Sequence, residues 1–195
     1  TSVTIPASVK EISRAAFSNC SSLSSIVVNG NTAYDSVDNV LFSKDHTLLL
    51  CYPAGKEGTS YVVPESVTEI WAYAFSGCRD LTSVTIPKGV TYIGSGSFEF
   101  CSSLTSMTIP ENVTRIYYGA FSCCSSLTSV TIPWRMTKVE EQAFSWCGKL
   151  TDVYYTGSRA MWNRVKIGDY NEPILNASLH LDFDSSDSTL RLVST

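Results

Sequence analysis

The chain has 195 residues, a hydrophobic fraction of 44%, a net charge of −4 at pH 7 and a pI near 5.1. That apolar share belongs to an ordered chain rather than a disordered one, and the lack of any Lys/Arg run or basic stripe argues against a nucleic-acid partner. No apolar stretch approaches the roughly 20 residues needed to span a bilayer.

The opening "TSVTIPASVK" has neither a basic start nor an apolar run, so it does not read as a secretory signal. It begins in mid-phrase, because "SVTIP" recurs downstream. The expectation is a mature or trimmed segment with any address label upstream. The first unit runs from Val3 through Pro6, Val9, Ile12, Phe17 and Cys20 to Leu23.

The next unit is altered. Pro6 and Pro64 lie 58 residues apart, 12 more than two periods of 23. The excess falls between Asn29 and about Ser60, where "DNVLFSKDHTLLLCYP" reads as strand, polar turn and strand. The pattern predicts a β-hairpin that protrudes from the rest, near residues 31–60.

From there the period is strict. Pro64, Pro87, Pro110 and Pro133 keep a step of 23, as do Phe75, Phe98, Phe121 and Phe144, and Cys78, Cys101, Cys124 and Cys147. Leu81, Leu104, Leu127 and Leu150 form a fourth column in the same register. In Leu81-x-x-Val84-x-Ile86-Pro87 the alternation puts Val84 and Ile86 on one face of a strand. Pro87 ends it, lacking the N–H that a continuing ladder needs. Val90 and Ile93 predict a second short extended piece, and Phe98 with Cys101 a tight helical or 3₁₀ return turn. One unit cannot bury its own apolar side chains, so the units must stack and pair their strands in parallel. Adjacent strands lie ~4.8 Å apart, so seven coils predict a slab on the order of 35 Å long.

After Leu150 the pattern decays. "TDVYYTGS" predicts a strand, and Ser158 can N-cap a short helix through Trp162 and Val165. "PILNASLHLDF" reads as a further strand, followed by the polar "DSSDST" and a last strand candidate, Leu190 to Val193. The division expected is a repeat array over 1–157 and a capping segment and tail over 158–195. Such a lid covers an apolar layer that would otherwise face water.

The "L-x-x-V-x-I-P" strand, the step of 23 and the "A-F-x-x-C-x-x-L" return resemble the BspA-like (treponemal-type) class of leucine-rich repeats. "SVTIPASVKEISRAAFSNCSSL" and "SMTIPENVTRIYYGAFSCCSSL" carry the likeness, which covers Thr1 to about Ile167. It implies a solenoid that is mostly β, with short 3₁₀ or helical return turns and a parallel sheet on the concave face. It also implies an extracellular or cell-surface protein that binds other proteins, host matrix or neighbouring cells.

Cys20, Cys78, Cys101, Cys124 and Cys147 share one column and read as small apolar core residues. Cys123, one step out of frame, and Cys51, in the hairpin, are the candidates for reactive thiols. Only two histidines are present, His46 in a turn and His180 in the tail, so no Ser-His-Asp or Cys-His arrangement is read. Glu140-Glu141 reads as a solvated pair. Asp182, Asp184 and Asp187 miss the EF-hand spacing. No phosphate loop or zinc spacing occurs, so no metal or cofactor is expected. Asn112-Val-Thr and Asn176-Ala-Ser are glycan acceptors only in a eukaryotic secretory host.

Two surfaces remain as candidates for binding. With Val84 and Ile86 inward, Ser83 and Thr85 point out, stacked with Ser106, Thr108, Ser129 and Thr131. The next coil substitutes Asp152 and Tyr154. This hydrogen-bonding floor is either a ligand surface or a purely structural ladder. The second surface is aromatic: Trp71, Tyr73, Tyr92, Tyr117 and Tyr118 stand at turn positions, and Phe100 and Trp146 stand where other coils have Asn19 or Gly77. These rings are interface anchors or flat shields over the return turns. The leading reading is a non-enzymatic adhesion module for a protein or glycan ligand on a host or neighbouring cell. A structural stalk, or an accessory carbohydrate-binding segment of an enzyme, is the alternative.

Overall fold

A computed structural model describes residues 1–183. In chain order the elements begin with β1 (Ser2–Pro6), β2 (Ser25–Asn29), β3 (Tyr34–Val37), β4 (Val40–Ser43), β5 (Leu48–Cys51) and β6 (Ser60–Val62). Next come β7 (Glu69–Ile70), β8 (Ser83–Thr85), β9 (Tyr92–Ile93), β10 (Ser106–Thr108), β11 (Arg115–Ile116), β12 (Ser129–Ile132) and β13 (Lys138–Val139). The chain continues through β14 (Asp152–Ser158), α1 (Arg159–Trp162), β15 (Lys166–Ile167), α2 (Glu172–Asn176) and β16 (Ser178–Phe183). The expected strand over Leu190–Val193, and Asp184 and Asp187, lie outside the described residues.

The coils form a solenoid of about eight turns. On one side, parallel pairing joins β1 to β2, β6 to β8, and β10 to β12, β14 and β16. This is the concave sheet. On a second side the shorter strands run β5-β7-β9 and β11-β13-β15, again parallel. The pairing register is one period, as in Ser106 opposite Ser129 and Arg115 opposite Lys138.

The return turns close the third side and carry a ladder of their own. Phe75, Phe98 and Phe121 donate their N–H to the carbonyls of Ser97, Ala120 and Ala143 at 2.7, 2.8 and 2.8 Å. Alternate residues donate backward within the turn, as Cys101 N–H does to Phe98 at 3.2 Å. The backbone of an irregular-looking segment is thereby satisfied coil by coil.

The core columns are as the period requires. Val84, Phe98 and Ile109 are buried. Phe75, Phe98, Phe121 and Phe144 stack nearly parallel, with centroids 4.9, 5.3 and 5.3 Å apart. Each such pair adds about 0.5–1.5 kcal/mol beyond its area burial. Beside them the thiols of Cys101, Cys124 and Cys147 donate to the carbonyls of Phe75, Phe98 and Phe121 in the previous coil, at 3.1, 3.1 and 3.0 Å. Cysteine suits this slot because it is small, apolar and carries one weak donor.

Four expectations need correction. The insertion forms antiparallel strands, β3-β4-β5, but it does not protrude. Val40, Leu41 and Phe42 are buried, and so are Leu49, Leu50 and Cys51. Val40, Phe42 and Leu49 pack toward the C-terminal core, whereas Leu41, Leu50 and Cys51 pack toward the N-terminal one. The segment is a plug between two stacks, and strands apolar on both faces are buried on both faces. Cys51 is consequently no reactive thiol: burial pushes it up to about 12. Cys20, expected in the core column, is exposed. It lines an open hollow with Thr1, Val3 and Phe17 on the first coil, and among the described residues no phenylalanine is stacked on Phe17 as on the inner rings. Finally, "PILN" is helix rather than strand, with Pro173 in the first helical turn and only Ile174 buried; the strand starts at Ser178.

Ser158 does cap α1, its side chain accepting from Met161 N–H at 3.4 Å. The end of the array is sealed by a residue the period does not mark. Asn171 is almost fully buried, and its amide donates to the carbonyls of Glu140 and Gly168, both at 2.8 Å. Its Oδ1 accepts from Phe144 N–H at 2.9 Å. A side-chain amide thus replaces the carbonyl that the next return turn supplies elsewhere.

Candidate interaction surfaces

Along the concave sheet Ser83, Thr85, Ser106 and Thr108 are exposed, and Ser129 and Thr131 are half-buried. Their alternation with the buried Val84, Met107 and Val130 follows from the two-residue strand period. One rung further the chemistry changes. Tyr154 is 44% exposed, and its ring stacks on His180 of β16 with centroids 4.6 Å apart and planes 17° apart. His180 Nε2 lies 2.7 Å from Asp152 Oδ1. Thr151 and then His180 hold the Asp152 carboxyl below its ordinary range by hydrogen bonding to the anion. Asp182, further along β16, is exposed.

Sequence reasoning missed His180, because the residues between it and Asp152 conceal that β14 and β16 are neighbours with Tyr154 opposite His180. Among the described residues no hydroxyl or thiol is hydrogen-bonded to either histidine; His46 contacts Asp35 at 3.1 Å. Nor is there a group of three or more potential metal ligands among them. No helix of the described residues is long and apolar enough to cross a membrane.

The aromatic edge divides. Trp71 packs against both core clusters. Tyr73 covers Gly96, which leaves no room for a Cβ there and has φ +59°. Tyr92 and Tyr117 meet at 4.9 Å, and Arg115, paired with Glu140, lies 5.0 Å over the Tyr117 ring. These four are half-buried over the turns, and only Tyr118, at 45%, is exposed. Its hydroxyl donates to Gln142 at 2.9 Å.

Two further rings share a column: Trp146 is exposed and Phe100 half-buried. The residue before each column cysteine has a left-handed backbone: Asn19 at φ 58°, Gly77 at 77°, Phe100 at 60°, Cys123 at 61° and Trp146 at 61°. Asn and Gly are the residues expected there; a bulky side chain in this region costs roughly 1–2 kcal/mol. The conformation turns these side chains outward, so Trp146 is 80% exposed and regains little by burial. The column was visible in the sequence as Asn19 and Gly77, but the backbone conformation was not. Together with Arg79, Ser102 and Ser125, the three side chains line an open hollow.

A family model described as BspA type Leucine rich repeat region matches residues 1–48 and 52–163 in six copies. Among solved structures, a leucine-rich repeat protein from Eubacterium ventriosum is similar with a TM-score of 0.67 and 24% identity, covering 100% of this chain and 61% of that one. A leucine rich cell surface protein from Faecalibacterium prausnitzii gives 0.68 and 34%, over 85% of this chain and 50% of that one. The pneumococcal vaccine antigen PcpA gives 0.62 and 19%, over 93% and 56%. This chain therefore spans between half and about three fifths of their lengths. No curated protein matches it.

Proposed function

The chain belongs to the BspA-type leucine-rich repeat family, and from that premise we propose that it is a non-enzymatic binding module of an extracellular or cell-surface protein, with its concave face as the contact surface. The observation that carries this reading is the change along that face. Ser83, Thr85, Ser106, Thr108, Ser129 and Thr131 form a weakly charged floor, and Asp152, Tyr154 and His180 then concentrate an anion and two stacked rings at one end. A ladder serving only to stiffen a stalk has no need of that break, whereas a protein partner presenting a basic or apolar side chain finds both an aromatic anchor and a carboxylate. The rigid plug and stacked phenylalanines hold the face in one shape, which limits the entropy lost on binding. In this reading residues 1–157 form the array and 158–195 the cap and tail. The half-buried Trp71, Tyr73, Tyr92 and Tyr117 shield the turns, and Tyr118 remains a subsidiary contact.

The surface location is supported by the likeness to a protein described as a leucine rich cell surface protein. The test is adhesion of beads coated with the chain to cultured epithelial cells and to matrix-coated wells. Adhesion should saturate and fall at least tenfold with Tyr154→Ala combined with His180→Ala. Beads that adhere no better than those carrying an unrelated repeat protein, or a double variant that adheres fully, would refute it.

A further inference from the structure

We propose that the hollow on the return-turn side, lined by Arg79, Phe100, Ser102, Cys123, Ser125 and Trp146, binds an extended glycan bearing carboxylate sugars. This surface is separate from the concave sheet, and the proposal does not require that sheet to bind anything.

Three observations converge. First, Phe100, Cys123 and Trp146 occupy a left-handed backbone position that Asn19 and Gly77 fill elsewhere. Trp146 is 80% exposed, so its ring gains the fold little by burial, and Phe100 beside it is half-buried. Strained, exposed aromatics are retained where strain serves recognition. Second, the two rings stand in one column. Phe100 and Trp146 are two rungs apart, about 10 Å along the stack, with Cys123 between them. A chain of pyranose rings presents flat C–H faces at a comparable stride, and such faces stack on exposed aromatic rings. Third, the polar groups suit hydroxyls and one anion. Ser102 and Ser125 rise in step beside the rings, and Arg79 is exposed, with no ion pair to it among the described residues. A guanidinium binds a carboxylate through two parallel hydrogen bonds. The hollow is open rather than enclosed, as suits a ligand laid along the surface. That favours a flat, ring-built ligand over a polypeptide.

The experiment is titration of the chain with three acidic probes, an oligogalacturonate hexamer, a hyaluronan decasaccharide and a tetramer of α2,8-linked sialic acid, beside neutral chitohexaose. Calorimetry and tryptophan fluorescence report binding. At least one acidic probe should bind saturably, at least tenfold more tightly than the neutral one, and the preference should vanish in Arg79→Gln and at high salt. Trp146→Gly and Phe100→Asn restore the residues of other coils. Each should weaken binding at least tenfold, and Trp146→Gly should also raise the melting temperature, a combination that no structural role of that ring predicts. Tyr154→Ala, on the concave face, should leave the affinity unchanged. The proposal fails if none of the three acidic probes binds, if Trp146→Gly or Phe100→Asn binds as well as the parent, or if Arg79→Gln keeps the full preference.

Discussion

Asn171 is the residue by which the repeat ends without an open backbone, so its removal should be felt out of proportion to its size. In Asn171→Ala the Phe144 N–H loses its only acceptor among the described residues, at 2.9 Å, inside a buried site, and the carbonyls of Glu140 and Gly168 lose 2.8 Å donors. An orphaned buried donor costs about 1–3 kcal/mol, and each lost hydrogen bond about 0.5–1.5. The sum is roughly 4 kcal/mol, which for a chain of this size lowers the melting temperature by roughly 8–16 °C. Asn112→Ala is the control. Asn112 is exposed and makes one bond, to Lys88 at 3.1 Å, so its loss should stay within about 0.5 kcal/mol. Thermal and urea unfolding followed by circular dichroism give the magnitude. Hydrogen exchange gives the place: the Phe144 amide should exchange much faster while the Phe98 amide changes little, because repeats communicate chiefly with their neighbours. Asn171→Asp should be worse than alanine at neutral pH, since a carboxylate would face carbonyl oxygens, and it should recover as acid restores a proton. A drop below about 2 °C for Asn171→Ala, or uniform loss of protection along the chain, would refute the reasoning.

Ser97 occupies the small-residue position filled by Ala74, Ala120 and Ala143 in other coils, and its buried hydroxyl has no partner among the described residues; Ser97→Ala should therefore stabilise by about 1 kcal/mol in urea titration. Native-state alkylation followed by mass spectrometry should label Cys20 and Cys123 first and leave the buried Cys51, Cys78, Cys101, Cys124 and Cys147 until unfolding, burial having raised Cys51 to about 12. Hydrogen bonding to His46 lowers the Asp35 carboxyl and bonding to Thr151 lowers that of Asp152. A depressed carboxyl contributes stability above its unfolded pKa and loses it as pH falls through the folded value. Stability should thus decline below about pH 4, less steeply in Asp35→Asn and Asp152→Asn, as read from melting temperature against pH.

Most of the fold was legible because a solenoid repeats its own logic. Pro64, Phe75, Cys78 and Leu81 recur at one step, and any side chain in such a column must meet its counterparts in the coils above and below. The parallel strands, the buried columns and the outward serines and threonines all follow from that period and from the strand's alternation. The sequence by itself therefore determined the stack, its core and its hydrogen-bonding floor, since these are local rules summed along one axis. Tertiary structure alone decided what the period leaves free. It placed the apolar runs of β4 and β5 between two cores instead of outside them, because burial on both faces outweighs the protrusion a hairpin suggests. It exposed Cys20 on a coil whose ring has no stacked phenylalanine, set His180 against Asp152 across a strand pair distant in sequence, and aimed Trp146 at solvent through a backbone dihedral. Those outcomes depend on which surfaces meet in three dimensions, and spacing along a chain carries no record of that.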